Sequence, residues 1–275
     1  MKLSHRSVAL LLMLAAGGLV TGSTFGATPG GALVVVGGGE IGPAIVDRFV
    51  QLAGGKDAEI VAIPTAHDVP GAGERLAKSL RETFGFEQIT ILHTKDRAEA
   101  DSEEFVAPLR SATAVWIGGG RQWRLVDSYL GTRTEREIKA VLERGGVVGG
   151  SSAGATIQGS FLVRGAREGN QIMVAKDYTQ GFALMDGVAI DQHILPRGRA
   201  GDLAPVIDDN PELLGLGVDE ATAMVVAGDR FEVIGRGVVA IHDGREHDGR
   251  KYYFLAPGEQ FDWKARRRVN SDATR

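Results

Sequence analysis

Short apolar runs alternate with longer amphipathic segments over the first half of the chain. Ala-Leu-Val-Val-Val at 32–36 is apolar without interruption and reads as a buried strand. Residues 43–55 follow with Ile45, Phe49 and Leu52 on one helical face and Gly54-Gly55 to end it. The alternation repeats: strands at 59–64, 88–93, 113–120 and 146–150, and helical segments at 73–86 and at 124–146, the latter broken near Gly131. Strands of this length separated by helices predict βαβ units and a parallel sheet. Residues 222–244 change character and read as several strands joined by Gly-Asp turns, expected to extend the same sheet. The pattern predicts an α/β fold: a doubly wound, mostly parallel sheet flanked by helices, with antiparallel C-terminal edge strands. No repeat and no long linker divides residues 27–263, which read as one domain; the basic, polar stretch 264–275 reads as a flexible tail.

The N-terminus stands apart from this pattern. Lys2 and Arg6 precede an apolar run over residues 7–20, and small residues follow. That is the make-up of a secretory signal peptide over residues 1–26, cleaved between Gly22 and Ala27, and it predicts a periplasmic or secreted protein with no stable membrane association afterwards. The 275-residue chain is 43% hydrophobic and 24% charged, ordinary for a globular protein. Its net charge of −4 gives no support to a nucleic-acid or anionic-membrane partner. The absence of cysteine excludes disulfides, a thiol nucleophile and lipid attachment to cysteine.

Candidate chemistry centres on Gly-Gly-Ser-Ser-Ala-Gly-Ala at 149–155. Gly150, Ser152 and Gly154 form G-x-S-x-G between a predicted strand and a predicted helix, the setting of a nucleophile elbow, although a Gly-Ser helix cap shares the pattern. A serine hydroxyl needs a base. Of six histidines, His193 ends the apolar run Gly187–Ile190 and has Asp191, Gln192, Arg197 and Arg199 nearby. Gly118-Gly119-Gly120 closes another strand, and in a doubly wound sheet neighbouring strand ends open into one crevice. The Gly120 and Ala153 N–H groups are the candidate oxyanion hole. Two further patterns are weaker. Residues 37–42 satisfy G-x-G-x-x-G, but Glu40 would face a pyrophosphate, and a plain tight turn accounts for the glycines. His242, Asp243, His247 and Asp248 are close in sequence but lack a helix to align them, so no metal and no cofactor is expected.

Four segments, Gly149–Ala155, Ile117–Leu125, Ile190–Leu203 and Asn210–Val226, occur in an order and at spacings that resemble the cyanophycinase and aspartyl dipeptidase (dipeptidase E) family of serine peptidases. The likeness runs over roughly residues 32–242. It implies a fold like that of the class I glutamine amidotransferases, with Ser152 as nucleophile, His193 as base and Glu220 as the orienting acid, adjacent Asp219 being the competing choice. It further implies Gly120 and Ala153 as the oxyanion hole, and Gln122, Asp191, Gln192, Arg197 and Arg199 along the substrate pocket. The implied partner is a peptide substrate, cyanophycin or another acidic or β-aspartyl peptide; oligomeric state stays open, a homodimer included. Two positions depart from the family pattern: Arg121 where an acid is usual, and Asp202 where a base is usual. Two other readings remain: an α/β-hydrolase-like esterase using Ser152, Asp219 and His242, and a non-catalytic exported binding protein of the same fold.

Overall fold

A computed structural model describes residues 30–269, so the expected signal peptide lies outside the described residues. Five parallel strands form the centre of the main sheet: β1 (Ala32–Val36), β2 (Ile60–Ile63), β3 (Ile89–Ile91), β4 (Ala114–Ile117) and β5 (Val147–Ser151), in the order β1-β5-β4-β2-β3. The unbroken apolar sequences of β1, β2 and β4 follow from burial on both faces, while β3, at the sheet edge, is largely exposed. Leu33, Val35, Val61, Ile63, Val115, Ile117 and Val148 belong to one core cluster, and Ala32, Val34, Val36, Ile60, Ala62, Trp116 and Val147 to the other, as a two-residue side-chain period requires.

Helices cover both faces. On the second face lie α1 (Pro43–Ala53) and α2 (Ala72–Ser79), the latter running into a π-helical turn, Leu80–Phe84. On α1 Ile45 and Phe49 are buried as the spacing predicts, and Gly54 ends the helix in the left-handed conformation. The short α3 (Arg97–Ala100) and α4 (Glu103–Ser111) are each capped by a side chain, Asp96 and Ser102 respectively. The segment expected to break near Gly131 forms α5 (Gln122–Tyr129) and α6 (Arg133–Glu143), which pack on the first face.

The chain beyond β5 corrects the single-sheet expectation. After α7 (Ala153–Thr156) a second, five-stranded sheet is built from β6 (Gly159–Phe161), β7 (Met185–Gln192), β8 (Leu214–Val218), β11 (Val239–His242) and β12 (Tyr253–Leu255), with α8 (Ala204–Asp209) between β7 and β8. Strands β9 (Thr222–Ala227) and β10 (Arg230–Gly235) form a hairpin that joins the main sheet antiparallel to β1. Strand β11 leaves them to pair with β8. The outer edge of β10 is already taken by β13 (Gln260–Asp262), which in turn pairs with β14 (Arg267–Val269). With that edge occupied, β11 finds its partner in the second sheet. Strand β14 also orders residues 267–269 of the stretch expected to be a tail, and the expectation for 270–275 lies outside the described residues.

Candidate active site

The tip of β5 is shaped around a turn that only small neighbours permit. Ser152 has φ 57° and ψ −111°, a strained backbone for a residue with a side chain. A Cβ on Gly150 would overlap the Gly154 backbone, and one on Gly154 would overlap the Ile117 carbonyl, so both flanking glycines are steric necessities. The Ser152 N–H donates to Val36 O at 3.0 Å, while Ser152 O accepts from Ala155 N and Thr156 N at 3.0 Å each. The bend is thus held from both sides, and the hydroxyl projects from the sheet end.

His193 arrives from the second sheet. It follows β7 directly, also at positive φ (56°), and its N–H donates to Gly37 O at 3.0 Å. Its Nε2 stands 2.9 Å from Ser152 Oγ, and its Nδ1 stands 2.5 Å from Glu220 Oε1. A carboxylate at Nδ1 fixes the proton there and leaves the Nε2 lone pair to accept from the hydroxyl. Burial pulls the His193 pKa below 6.5; Arg197 and Arg199 act in the same direction, and Glu220 opposes them. The ring is therefore neutral, hence basic, at neutral pH. Glu220, not Asp219, faces the imidazole: Asp219 Oδ1 instead accepts from Leu195 N at 3.2 Å, which ties down the turn after His193.

The glycines at 37–39 are more than a tight turn. A Cβ on Gly38 would lie inside the His193 ring, 2.6 Å from Nε2 and 2.7 Å from Nδ1, and one on Gly39 would lie 2.9 Å from Glu220 Oε2. Gly38 O accepts from Ala221 N at 2.9 Å. The space that a dinucleotide would need is filled by the histidine and the glutamate. The sequence suggested only a tight turn for these glycines; their run at the end of a central strand was the available signal for more.

Ala153 opens α7, so its N–H has no intrahelical acceptor. Gly119 is the member of the 118–120 run beside Ser152: a Cβ there would lie 3.4 Å from Ser152 Cβ. A Cβ on Gly120 (φ 143°) would run into Ala66. Among the described residues neither the Gly119 nor the Gly120 N–H has a hydrogen-bond acceptor, whereas Gly118 N donates to Ile63 O and Arg121 N to Ala66 O. This cleft edge can supply amide donors to a developing oxyanion.

The expected pocket residues separate into three groups. Gln122, Gln192 and Arg199 are buried. Gln122 Nε2 donates to Val163 O at 2.8 Å, while Gln192 Oε1 and the Nε and Nη1 of Arg199 have no partner. Arg197 is exposed, its N–H directed to His193 O at 3.3 Å. Asp191 is a correction: it is fully buried, and both carboxylate oxygens are held at 2.7 Å by the Nε and Nη2 of Arg164, which leaves none free to meet a substrate. Arg164 Nη2 also reaches Asp202 at 2.8 Å. Arg164 escaped sequence reasoning because no motif marks the loop after β6. It gives Asp202, the departure from the family pattern, a partner of opposite charge.

The rival arrangement does not form. His242 is buried in β11 against Tyr252, its Nδ1 without a partner and its pKa held at about 4 chiefly by burial. The Ser152 hydroxyl meets His193 instead, and Asp219 serves the turn after it. His247 bonds Asp243 at 2.8 Å, and His93 bonds Thr65 at 2.8 Å.

Comparison with known proteins agrees with this geometry. The chain is 34% identical over 223 residues to the cyanophycinase of Geminocystis herdmanii, covering 78% of this chain and 81% of that one. It is 36% identical over 224 residues to the cyanophycinase of Synechococcus elongatus, covering 78% and 69%. Among solved structures, a peptidase from an acI-B1 Actinobacterium superposes with a TM-score of 0.67 at 26% identity, over 84% of this chain and 96% of that one. A putative peptidase E from Listeria monocytogenes shares the fold, with a TM-score of 0.53 at 17% identity over 76% of this chain and the whole of that one. The profile of peptidase family S51 matches residues 33–234. An alcohol, an imidazole and a carboxylate in bonded series, on a chain matched over most of its length, identify it as a member of peptidase family S51, a cyanophycinase-like serine hydrolase.

Proposed function

We propose that this protein hydrolyses aspartyl peptide bonds, in cyanophycin or in related acidic and β-aspartyl peptides, through an acyl-enzyme on Ser152. The observation that carries the mechanism is the Ser152–His193–Glu220 series, at 2.9 and 2.5 Å. Ser152 Oγ attacks the carbonyl carbon as its proton passes to His193 Nε2. The oxyanion gathers on Ala153 N–H and a glycine N–H of the 118–120 loop, Gly120 in this reading; one such donor contributes roughly 3 kcal/mol. Collapse breaks the C–N bond, and His193 returns the proton to the departing amine. Water then attacks the acyl ester, with His193 again as base, and Ser152 is released. Glu220 holds the tautomer and stabilises the imidazolium formed in both halves.

The acidic substrate is supported by Arg199. A buried guanidinium with two unpartnered N–H groups is costly unless a ligand completes it, and a carboxylate matches its fork. In this reading the buried Gln122 and Gln192 share the acyl side with it, and the exposed Arg197 adds positive charge near the base. The relatives named cyanophycinase point the same way. We read residues 1–26 as an export leader, which places the reaction in the periplasm or outside the cell. Incubating the mature protein with cyanophycin and with a panel of β-aspartyl dipeptides, and weighing the products, tests the proposal. Aspartyl products that disappear in His193→Ala are expected; absence of turnover on every aspartyl substrate, with an intact fold, overturns it.

A further inference from the structure

A cavity of about 190 Å³ borders Gly119, the glycine next to Ser152. Its walls are Pro64, Ala72 and Leu76 with the backbone of Gly118 and Gly119, and His67 and Arg75 stand at its edge. Gly119 joins it to the reacting centre, since this residue both lines the cavity and packs against Ser152 Cβ. None of Gln122, Gln192 and Arg199 lines it. Leu76 packs with the core cluster of the second face, whereas Leu125 and Val126 of α5, the helix that begins with Gln122, belong to that of the first. The cavity and the Gln122 end of α5 therefore lie on opposite faces of the main sheet.

We infer that this cavity is the subsite for the residue leaving with the new amine, and that it takes a residue with an aliphatic side chain and a free α-carboxylate. The inference rests on the aspartyl-peptidase reading, which assigns the Arg199 side to the acyl residue, and within it selects β-aspartyl peptides over the arginine-bearing units of cyanophycin. Size supports one residue: sites that enclose a whole small molecule run to about 300–1,000 Å³. The wall chemistry is apolar, from Leu76, Pro64 and Ala72. The charge is one-signed. Arg75 uses Nη1 on Pro70 O at 2.8 Å, and no carboxylate lines the cavity. The nearest acid on the β2–α2 loop, Asp68, is engaged by Lys95 and Arg124, and Glu74 is exposed on the first turn of α2. A cationic leaving side chain meets Arg75 and finds no counter-charge there; a leucine-like one buries apolar area, and its carboxylate meets the guanidinium.

The test compares kcat/KM for β-aspartyl-leucine, β-aspartyl-lysine and β-aspartyl-arginine in the parent and in Arg75→Glu, an exposed position. The parent is expected to prefer the leucine peptide at least about tenfold, the scale of burying one leucine side chain against the apolar wall. Arg75→Glu is expected to lower kcat/KM for the leucine peptide by a similar factor, raise it for the arginine peptide, and leave fluorophosphonate labelling of Ser152 at the parental rate. Equal kcat/KM across the three peptides, or a parental profile in Arg75→Glu, overturns the subsite while sparing the hydrolase. Failure of the parent to cleave any aspartyl peptide instead removes the reading on which the subsite rests.

Discussion

Replacing Gly38 with alanine places one methyl group where the base of the proposed mechanism stands. The backbone there has φ 117°, and the new Cβ would lie 2.6 Å from His193 Nε2 and 2.7 Å from Nδ1, inside the ring itself. The nearest ring atom, Cε1, would be only 2.1 Å away where ordinary contact begins at 3.4 Å, so the imidazole must retreat by more than an ångström. The Nε2–Oγ bond is only 2.9 Å long, and a shift of that size away from Ser152 takes it beyond hydrogen-bonding reach. Misplacement on this scale costs about 100-fold in rate, or about 2.7 kcal/mol of barrier. The upper bound is the roughly 10⁴-fold effect of spoiling the histidine's orientation outright. The strained backbone adds roughly 1–3 kcal/mol of destabilisation. Aspartyl-peptide turnover measured beside a denaturant melt separates the two effects: Gly38→Ala stays folded and loses at least two orders of magnitude in kcat. A folded Gly38→Ala enzyme within threefold of the parent would refute the cradle.

Other consequences follow from the charges around the site. Because His193 must be neutral to act and its pKa lies below 6.5, kcat/KM should hold at neutral pH and fall only as pH drops below that value. Arg197→Gln removes one of the charges that depress it and should move this acid limb to higher pH, as a pH–rate profile would show. Arg164→Leu leaves the fully buried Asp191 carboxylate without its partner and should cost about 3–5 kcal/mol in a denaturant titration, with much of the loss restored by also making Asp191→Leu. His242, neutral in the fold with a pKa of about 4, binds its proton more readily when unfolded. Its contribution is present above the unfolded pKa near 6.5 and lost as pH falls toward 4, about 3 kcal/mol in all. The stability of His242→Phe should therefore fall less steeply than the parent's between pH 6.5 and 4.

The strands and helices of the first 150 residues were legible because burial on both faces makes β1, β2, β4 and β5 continuous apolar runs, while α1 shows its helical period openly. The elbow was legible for a steric reason: Gly150 and Gly154 tolerate no Cβ, the first because of Gly154 within the motif and the second because of Ile117 on the neighbouring strand, and both show as glycines within five residues. What stayed hidden depends on partners distant in sequence. The departure of β11 to a second sheet follows from β13 occupying β10, a pairing across some thirty residues of chain. The choice between Asp219 and Glu220 is decided by which of two neighbouring carboxylates turns toward a ring 27 residues upstream. Arg164 and Asp191 look unremarkable apart and make sense only as a buried pair.

The account stands on Ser152 being the atom that is acylated and His193 being what makes it reactive. Mass spectrometry of the protein after treatment with a fluorophosphonate measures both at once. The account predicts a single adduct on the peptide containing Ser152 in the parent, with the labelling rate collapsing in His193→Ala while His242→Ala labels like the parent. An adduct on another residue, or undiminished labelling of Ser152 without His193, would contradict it.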